Sequence, residues 1–400
     1  MKNNRAFLEK LLDGAEVEWK TLDEIFYLKN GYTPSKGVKE YWENGSIPWF
    51  RMEDIRENGR ILNTALQKVS ESAVKGGKLF PANSIIIATS ATIGEHALIT
   101  IPFLANQRFT VLSLKPEYID KFNIYFLYHY CFTLDDWCQK NTTMSSFASV
   151  DMNGFRKFPI PIPPLSVQTE IVKILDALTA LTSELTSELT SELILRQKQY
   201  EYYREKLLNI DEINKVIELG DVGPVRMCKR ILKNQTASSG DIPFYKIGTF
   251  GKKPDAYISN ALFQEYKQKY SYPKKGDILI SVSGTIGRTV IFDGENSYFQ
   301  DSNIVWIDND ETLVLNKYLY HFYKIAKWGI AEGGTIQRLY NDNLKKVKIS
   351  IPPLKEQQRI VSILDKFETL TNSITEGLPL AIEQSQKRYK YYRELLLNFS

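Results

Sequence analysis

The chain has 400 residues, 43% of them apolar and 12% aromatic, enough for two or three domains with sizeable cores rather than one. Its formal net charge of +4 leans only slightly toward nucleic acid, so charge alone names no partner. Three irregularly placed cysteines (Cys131, Cys138, Cys228), three scattered histidines (His96, His129, His321), no basic-then-apolar leader and no apolar run of about 18 residues argue against a disulfide framework, a zinc site, secretion and a membrane span, and make a cytoplasmic protein the expectation.

In chain order, Asn30-Gly31-Tyr32-Thr33-Pro34-Ser35 leads to Ile47-Pro48-Trp49-Phe50. Ser84-Ile85-Ile86-Ile87-Ala88 reads as a short apolar strand set up by a proline-containing turn, and Phe109–Leu114 as another. A helical stretch follows around Phe122–Trp137. The extended run Ile160–Leu165 ends in Pro163-Pro164, which can stand just ahead of a helix. From Val167 to about Leu208 apolar residues recur at three and four (Ile171, Ile174, Leu175, Leu178, Leu181), which predicts a rod of roughly 60 Å at 1.5 Å per residue. The second half runs Ile242–Tyr245, a strand at Asp277–Ser281, another at Ile304–Ile307, and a helix around Leu315–Trp328. A second periodic stretch spans Glu356 to about Leu397, with Ile360, Ile363, Leu364, Phe367, Leu370, Ile374 and Leu378 on its stripe. Pro379 should kink or interrupt it.

The two halves repeat one another. The Ile-Pro-Pro-Leu at Ile162 recurs at Ile351, Ile171-Val172-Lys173-Ile174-Leu175-Asp176 as Ile360-Val361-Ser362-Ile363-Leu364-Asp365, and Tyr202-Tyr203-Arg204-Glu205 as Tyr391-Tyr392-Arg393-Glu394, all at one offset. Weaker echoes pair Thr92-Ile93-Gly94 with Thr285-Ile286-Gly287, and Ile47–Phe50 with Ile242–Tyr245. The expected fold is α/β (α+β): two similar mixed strand/helix domains separated by two long antiparallel helices, a pseudo-two-fold internal repeat. A lone amphipathic rod must bury its stripe, and its own copy is the available partner.

Two diverged domains on a rod suit two different targets at a set separation, and long DNA offers such targets. Polar side chains on loops can read the major groove, where all four base pairs differ. The candidate readers are Thr89, Ser90, Thr92, Asn106, Gln107 and Arg108 in the first half, and Ser281, Ser283, Thr285, Gln300, Asp301, Ser302, Asn303, Gln337 and Arg338 in the second. Lys36, Arg51, Lys246 and Arg288 are candidates for phosphate contacts. The plain alternative is that these residues cap turns or sit solvated on the surface.

No catalytic, cofactor-binding or metal-ligating residues are expected. The chain lacks G-x-x-x-x-G-K-[S/T] and G-x-S-x-G. Pro254-Asp255 with Glu265-Tyr266-Lys267 matches a loose metal-nuclease pattern, but Ala261–Tyr270 looks helical where that site draws on a strand.

The chain resembles the specificity (S, HsdS) subunits of type I restriction–modification systems. The resemblance rests on Ile-Pro-Pro-Leu-x-x-Gln followed by Ile-Val-x-Ile-Leu-Asp at 162–176 and 351–365, on Lys-x-Tyr-x-Tyr-Tyr-Arg-Glu at 198–205 and 387–394, and on the opening Asn30–Ser35. Leu11-Leu12-Asp13-Gly14, Val17-Glu18-Trp19 and the repeated Thr-Ser-Glu-Leu at 182–193 are similar to the type IC subgroup. The resemblance implies target recognition domains at 1–160 and 211–348, and helical spacers at 161–210 and 349–400. It implies double-stranded DNA as ligand, read as a split site, and two methyltransferase (M, HsdM) subunits docked on the helices, with restriction (R, HsdR) subunits in the full complex. Tyr202, Tyr203, Tyr391 and Tyr392 are the expected M-docking residues, since aromatics suit interfaces; packing at the helix ends is the alternative. Asn234-Gln235-Thr236-Ala237 stands where the second domain would carry the Gly-x-Thr-Pro opening. A self-contained DNA-modifying enzyme and a protein-interaction scaffold are the other two readings.

Overall fold

A computed structural model describes residues 5–144, 148–209, 215–329, 337–373 and 375–399. The chain forms two units: Met1–Ser187 with Glu383–Ser400, and Glu188–Ile382. Each is therefore a globular part completed by one segment from each long helical stretch.

In unit 1 a five-stranded sheet has the order Phe26–Asn30, Phe109–Leu114, Ser84–Ala88, His96–Ile99, Ile61–Leu62. All neighbours are antiparallel except the last pair. Ser84–Ala88 is buried along its whole length, which explains its unbroken apolar run. Successive side chains of a strand point to opposite faces. Ile85 and Ile87 accordingly join the core that includes the helix Ile124–Lys140, while Ile86 and Ala88 join the core built with Phe50, Ile55 and Phe103. A smaller sheet orders Lys68–Val69, Ile47–Phe50 and Leu104–Ala105, the last pair parallel. Glu18–Thr21 pairs with Pro159–Ile162 just ahead of the long helix.

Unit 2 repeats this plan with fewer strands. Its main sheet orders Val225–Arg226, Ile304–Ile307, Ile278–Ser281 and Thr289–Ile291. The alternation recurs, with Ile278 and Ile280 in one core and Leu279 in the other. Ile242–Tyr245 and Tyr298–Phe299 form the matching parallel pair, and Lys215–Glu218 with Lys348–Ile351 the matching entrance pair. The turns after Ser84–Ala88 and Ile278–Ser281 close in the same way: Gly94 N donates to Ala88 O, and Gly287 N to Ser281 O. Both glycines have positive φ, and a Cβ there would lie 2.6 Å from Asp135 O or 2.5 Å from the Trp328 indole nitrogen. The two mixed α/β domains of the expected fold are thus present and similar. The expected helix around Leu315–Trp328 is shorter, Asn316–Tyr323, followed by a turn.

The first rod is one helix, Leu165–Leu208, of 44 residues. The second is two helices, Leu354–Asn372 and Leu378–Leu397. The break falls just before Pro379, which occupies the first turn of the second piece, where its missing N–H costs nothing. Gly377 has φ +89°, and a Cβ there would lie 2.6 Å from Thr369 O. Ile374, expected on the stripe, lies outside the described residues. In unit 1 Thr179 Oγ1 lies 2.9 Å from the Tyr389 hydroxyl, and in unit 2 Tyr200 and Tyr203 stack on Phe367. Later positions on the first rod thus meet earlier positions on the second, the antiparallel order. Among the described residues no helix is long and apolar enough to cross a membrane.

Candidate nucleic-acid interface

Each unit fixes its globular part to its helices through the same side chains. Buried Gln168 donates from Nε2 to Lys121 O (2.9 Å) and Pro163 O (2.8 Å), and its Oε1 accepts from Asn123 N (2.9 Å). Gln357 donates to Leu313 O and Pro352 O and accepts from Leu315 N, all at 2.9 Å. Asn123 and Leu315 immediately precede helices, so each glutamine satisfies a backbone amide where a helix begins. Two turns further along, Asp176 Oδ1 lies 2.8 Å from His129 Nε2, and Asp365 Oδ1 lies 2.8 Å from His321 Nε2. Burial pushes both imidazoles below their ordinary value, against the pull of the aspartates.

Unit 2 adds charge at this joint. His321, Asp365 and Glu368 offer three ligand atoms within 4.8 Å of one another, a spacing a metal ion could use. The carboxylates already have counter-ions, however: Lys317 on Asp365, and Lys324 at 2.6 Å from Glu368, which also accepts from the Tyr320 hydroxyl at 2.8 Å. His321 Nδ1 faces the Tyr200 hydroxyl at 3.4 Å. The donor set is that of an ion-pair network.

The expected docking tyrosines form equivalent pairs, in which Tyr203 also stacks on Phe367. Tyr202 and Tyr203 meet edge to face at 5.3 Å, Tyr391 and Tyr392 at 5.4 Å. Tyr202 is 57% and Tyr391 47% exposed, whereas Tyr200 in the same motif is buried.

In unit 1 the structure gathers five of the candidate readers and phosphate contacts. Lys36, Arg51, Asn106, Gln107 and Arg108 line one concavity of about 620 Å³, floored by Trp42, Trp49, Met52 and Phe109. Asn106 Oδ1 accepts from Arg108 N at 3.0 Å, a turn that leaves Gln107 and Arg108 exposed. Gln107 Oε1 accepts from the Thr33 hydroxyl. The Arg51 guanidinium lies over Trp49, 5.6 Å from the ring centroid, and its buried Nε has no hydrogen-bond partner. Thr89, Ser90 and Thr92 do not line the concavity. Thr89 N donates to Arg108 O, its hydroxyl meets that of Thr110 at 3.1 Å, and Ser90 bridges to Ser149.

In unit 2 the candidates divide into supports and outward groups. Ser283 is buried and bridges to Arg338. Gln300 Oε1 accepts from Ile247 N at 2.9 Å, and the Arg288 guanidinium donates to Phe250 O at 3.1 Å. Thr285, Ser302, Gln337 and Arg338 are exposed, and Arg338 reaches Ser302 O at 3.4 Å and Asn303 Oδ1 at 3.5 Å. Lys246 is engaged with Asp255 at 2.9 Å. Asp255 and Glu265 of the nuclease-like pattern each pair with a lysine, Glu265 with Lys269 at 3.0 Å on the helix Asn260–Lys269, while Lys267 lies over Phe263 and Tyr272.

The family model for the type I restriction modification DNA specificity domain matches residues 15–194 and 212–384. The chain belongs to this type I specificity family. It is 70% identical to a Haemophilus influenzae protein assigned as a type I restriction enzyme specificity subunit, over 100% of both chains. It is 48% identical to the type I restriction enzyme EcoprrI specificity subunit of Escherichia coli, covering 93% of this chain and 92% of that one. Among solved structures, the HsdS subunit from Thermoanaerobacter tengcongensis superposes with a TM-score of 0.56 at 18% identity over 96% of each chain. A chain from work on complex assembly of the type I R-M system reaches 0.67 at 18%, over 96% of this chain and 97% of that one. At that identity the likeness concerns the fold.

For a type I specificity subunit, the sequence reading missed several lining groups of the unit 1 concavity, among them Lys39, Trp42, Glu43, Glu53 and Gln67. The signal available was the cluster Lys36–Trp42 between the Gly31 turn and Ile47–Phe50. The turn itself is dictated by packing, since a Cβ on Gly31 would lie 2.3 Å from Ala105 O. The glutamine clamps fall within the Ile-Pro-Pro-Leu-x-x-Gln motif, where sequence alone attaches no role to them. Their partners lie 42 to 47 positions away and become visible only in the fold.

Proposed function

We propose that this specificity subunit reads a split double-stranded DNA site, one half with each globular part, and docks two M subunits through its tyrosine pairs, with R subunits joining in the full complex. The observation that carries this reading is one framework bearing two different outward chemistries. Asn106 N donates to Phe50 O, and Gln300 N to Tyr245 O, so the two loops start alike. They then present Gln107 and Arg108 in one unit, and Asp301 and Ser302 in the other. Different polar groups on equivalent loops are what two unlike half-sites require. The target recognition domains are assigned to 1–160 and 211–348, the spacers to 161–210 and 349–400, and the subunit to the type IC subgroup on its Thr-Ser-Glu-Leu tetrads. Methyl transfer and cleavage are assigned to the partners, and this chain supplies recognition. Incubation of the purified chain with duplex DNA and S-adenosylmethionine tests the reading. Binding without methyl transfer is expected, with adenine methylation at a bipartite site once M is added. Methyl transfer by the chain alone, or no DNA binding with M present, refutes it.

A further inference from the structure

Arg51 and Lys246 follow the equivalent strands Ile47–Phe50 and Ile242–Tyr245, yet their surroundings differ. Around Arg51 the concavity carries four cations, Lys36, Lys39, Arg51 and Arg108, against two carboxylates, Glu43 and Glu53. Glu53 approaches Arg51 only to 3.9 Å. Among the described residues Lys36, Lys39 and Arg108 have no ion-pair partner. Lys246, the corresponding cation of unit 2, is paired instead. Asp255 holds its ammonium at 2.9 Å, and the positions matching Gln107 and Arg108 are Asp301 and Ser302.

Resting on the DNA-reading function proposed above, we propose that the two units divide the work unequally. The concavity of unit 1 is the phosphodiester anchor of the subunit, holding the backbone of its half-site with Arg51, Lys36 and Lys39 beside the reading pair Gln107 and Arg108. The corresponding cation of unit 2 is withheld by Asp255, and that unit contributes chiefly base reading. Arg51 suits the anchoring role because its guanidinium is already set over Trp49 on the wall of the concavity, with the side chain about a third exposed. The Lys246–Asp255 pair opposes anchoring, since a phosphate must first compete with a carboxylate of the same charge. Phosphate contacts add affinity without selecting sequence and release counter-ions, so each one steepens the salt dependence by about 0.9 in log K against log salt.

The test uses the full chain assembled with its M subunits and a labelled duplex carrying the methylated site, with affinity measured as salt is raised. Arg51→Gln with Lys36→Gln should weaken cognate and non-cognate duplexes alike and lower the slope by about 1.8. Lys246→Gln alone should leave the slope unchanged within about 0.3. Asp255→Asn, which frees Lys246, should raise the slope by about 0.9 and tighten binding, a gain that misfolding would not produce. A Lys246→Gln loss as large as that of Arg51→Gln, or an unchanged slope in the double variant, overturns the division of labour. If the unaltered complex fails to bind duplex DNA, the DNA-reading function falls and this inference with it.

Discussion

Gln357 repeats in unit 2 the three hydrogen bonds that Gln168 makes in unit 1, two donated to carbonyls and one accepted from the amide ahead of a helix. Both side chains are fully buried, so removing the amide group strands backbone groups away from water. Gln168→Met should cost about 3 kcal/mol, most of it from unmet partners rather than lost packing. The loss should show as faster amide exchange in the helix Ile124–Lys140, with Asn316–Tyr323 unaffected, and Gln357→Met should give the converse. Unchanged exchange in either helix would show that the clamp does not hold it.

The paired histidines give stability a pH dependence whose sign follows from burial. Burial lowers the affinity of His129 and His321 for protons below the ordinary value of 6.5, and their aspartates offset only part of this. Below that value the unfolded chain binds more protons than the folded one, so stability falls as pH drops from 6.5 toward the folded-state values. The carboxyl of Asp365 behaves separately. Burial raises it, but hydrogen bonds from Lys317 and His321 outweigh this and leave it below its ordinary 3.8, which adds a further loss only at much lower pH. Denaturant midpoints measured between pH about 5 and 8 should rise with pH, and His129→Gln with His321→Gln should flatten the rise. A double variant with the same slope would assign the dependence to other groups.

The exposed tyrosines Tyr202 and Tyr391 stand on separate rods in equivalent motifs. Tyr202→Ala with Tyr391→Ala should leave helix content and thermal midpoint nearly unchanged, because these rings are about half exposed in the isolated chain. Co-purification with the M subunit should fall at least tenfold, about 1.4 kcal/mol, as expected where aromatics anchor an interface. Undiminished co-purification would leave the pairs as surface decoration of the helix ends.

Three tetrads, Thr182–Leu185, Thr186–Leu189 and Thr190–Leu193, lie inside the uninterrupted helix Leu165–Leu208. Each adds about 6 Å of helix, just under two base pairs of B-DNA at about 3.4 Å each. Four residues overshoot one turn by only about 40°, so the leucine stripe nearly keeps its face. Deleting Thr190–Leu193 should preserve both half-site sequences and shorten the unread spacer, as mapped from methylated adenines in a genome modified by the variant with its M subunit. Full activity with the original spacer rules out a ruler function.

The strands Ser84–Ala88, Phe109–Leu114 and Ile304–Ile307 and the rod Leu165–Leu208 are legible because apolar periodicity states burial directly. So is the interruption near Pro379, but not the conformation of Gly377, whose positive φ leaves no room for a Cβ beside Thr369 O. The interface is less legible. Asn106, Gln107 and Arg108 belong together because one turn presents them. Gln300, Arg288 and Ser283 have the same polar chemistry, but Gln300 Oε1 and the Arg288 guanidinium hold loop backbone, and Ser283 is buried with its backbone bridged to Arg338. A polar residue near a glycine turn reads identically in both cases, and only its partners tell recognition from support.

Unit 1 joins residues from the two extremes of the sequence: Leu396, Leu397 and Phe399 pack in the core with Phe126, Val167 and Ile171. During translation, residues 188–382 form one contiguous block, every part of which leaves the ribosome ahead of Glu383. The earlier-made half must wait, its core open, until the segment that begins at Glu383 has also emerged. The order of synthesis and the order of completion are thus reversed. A ribosome stalled shortly before Glu383 would release a chain whose later globular half is finished and whose earlier half, fully encoded and fully translated, still exposes an apolar seam to chaperones and proteases.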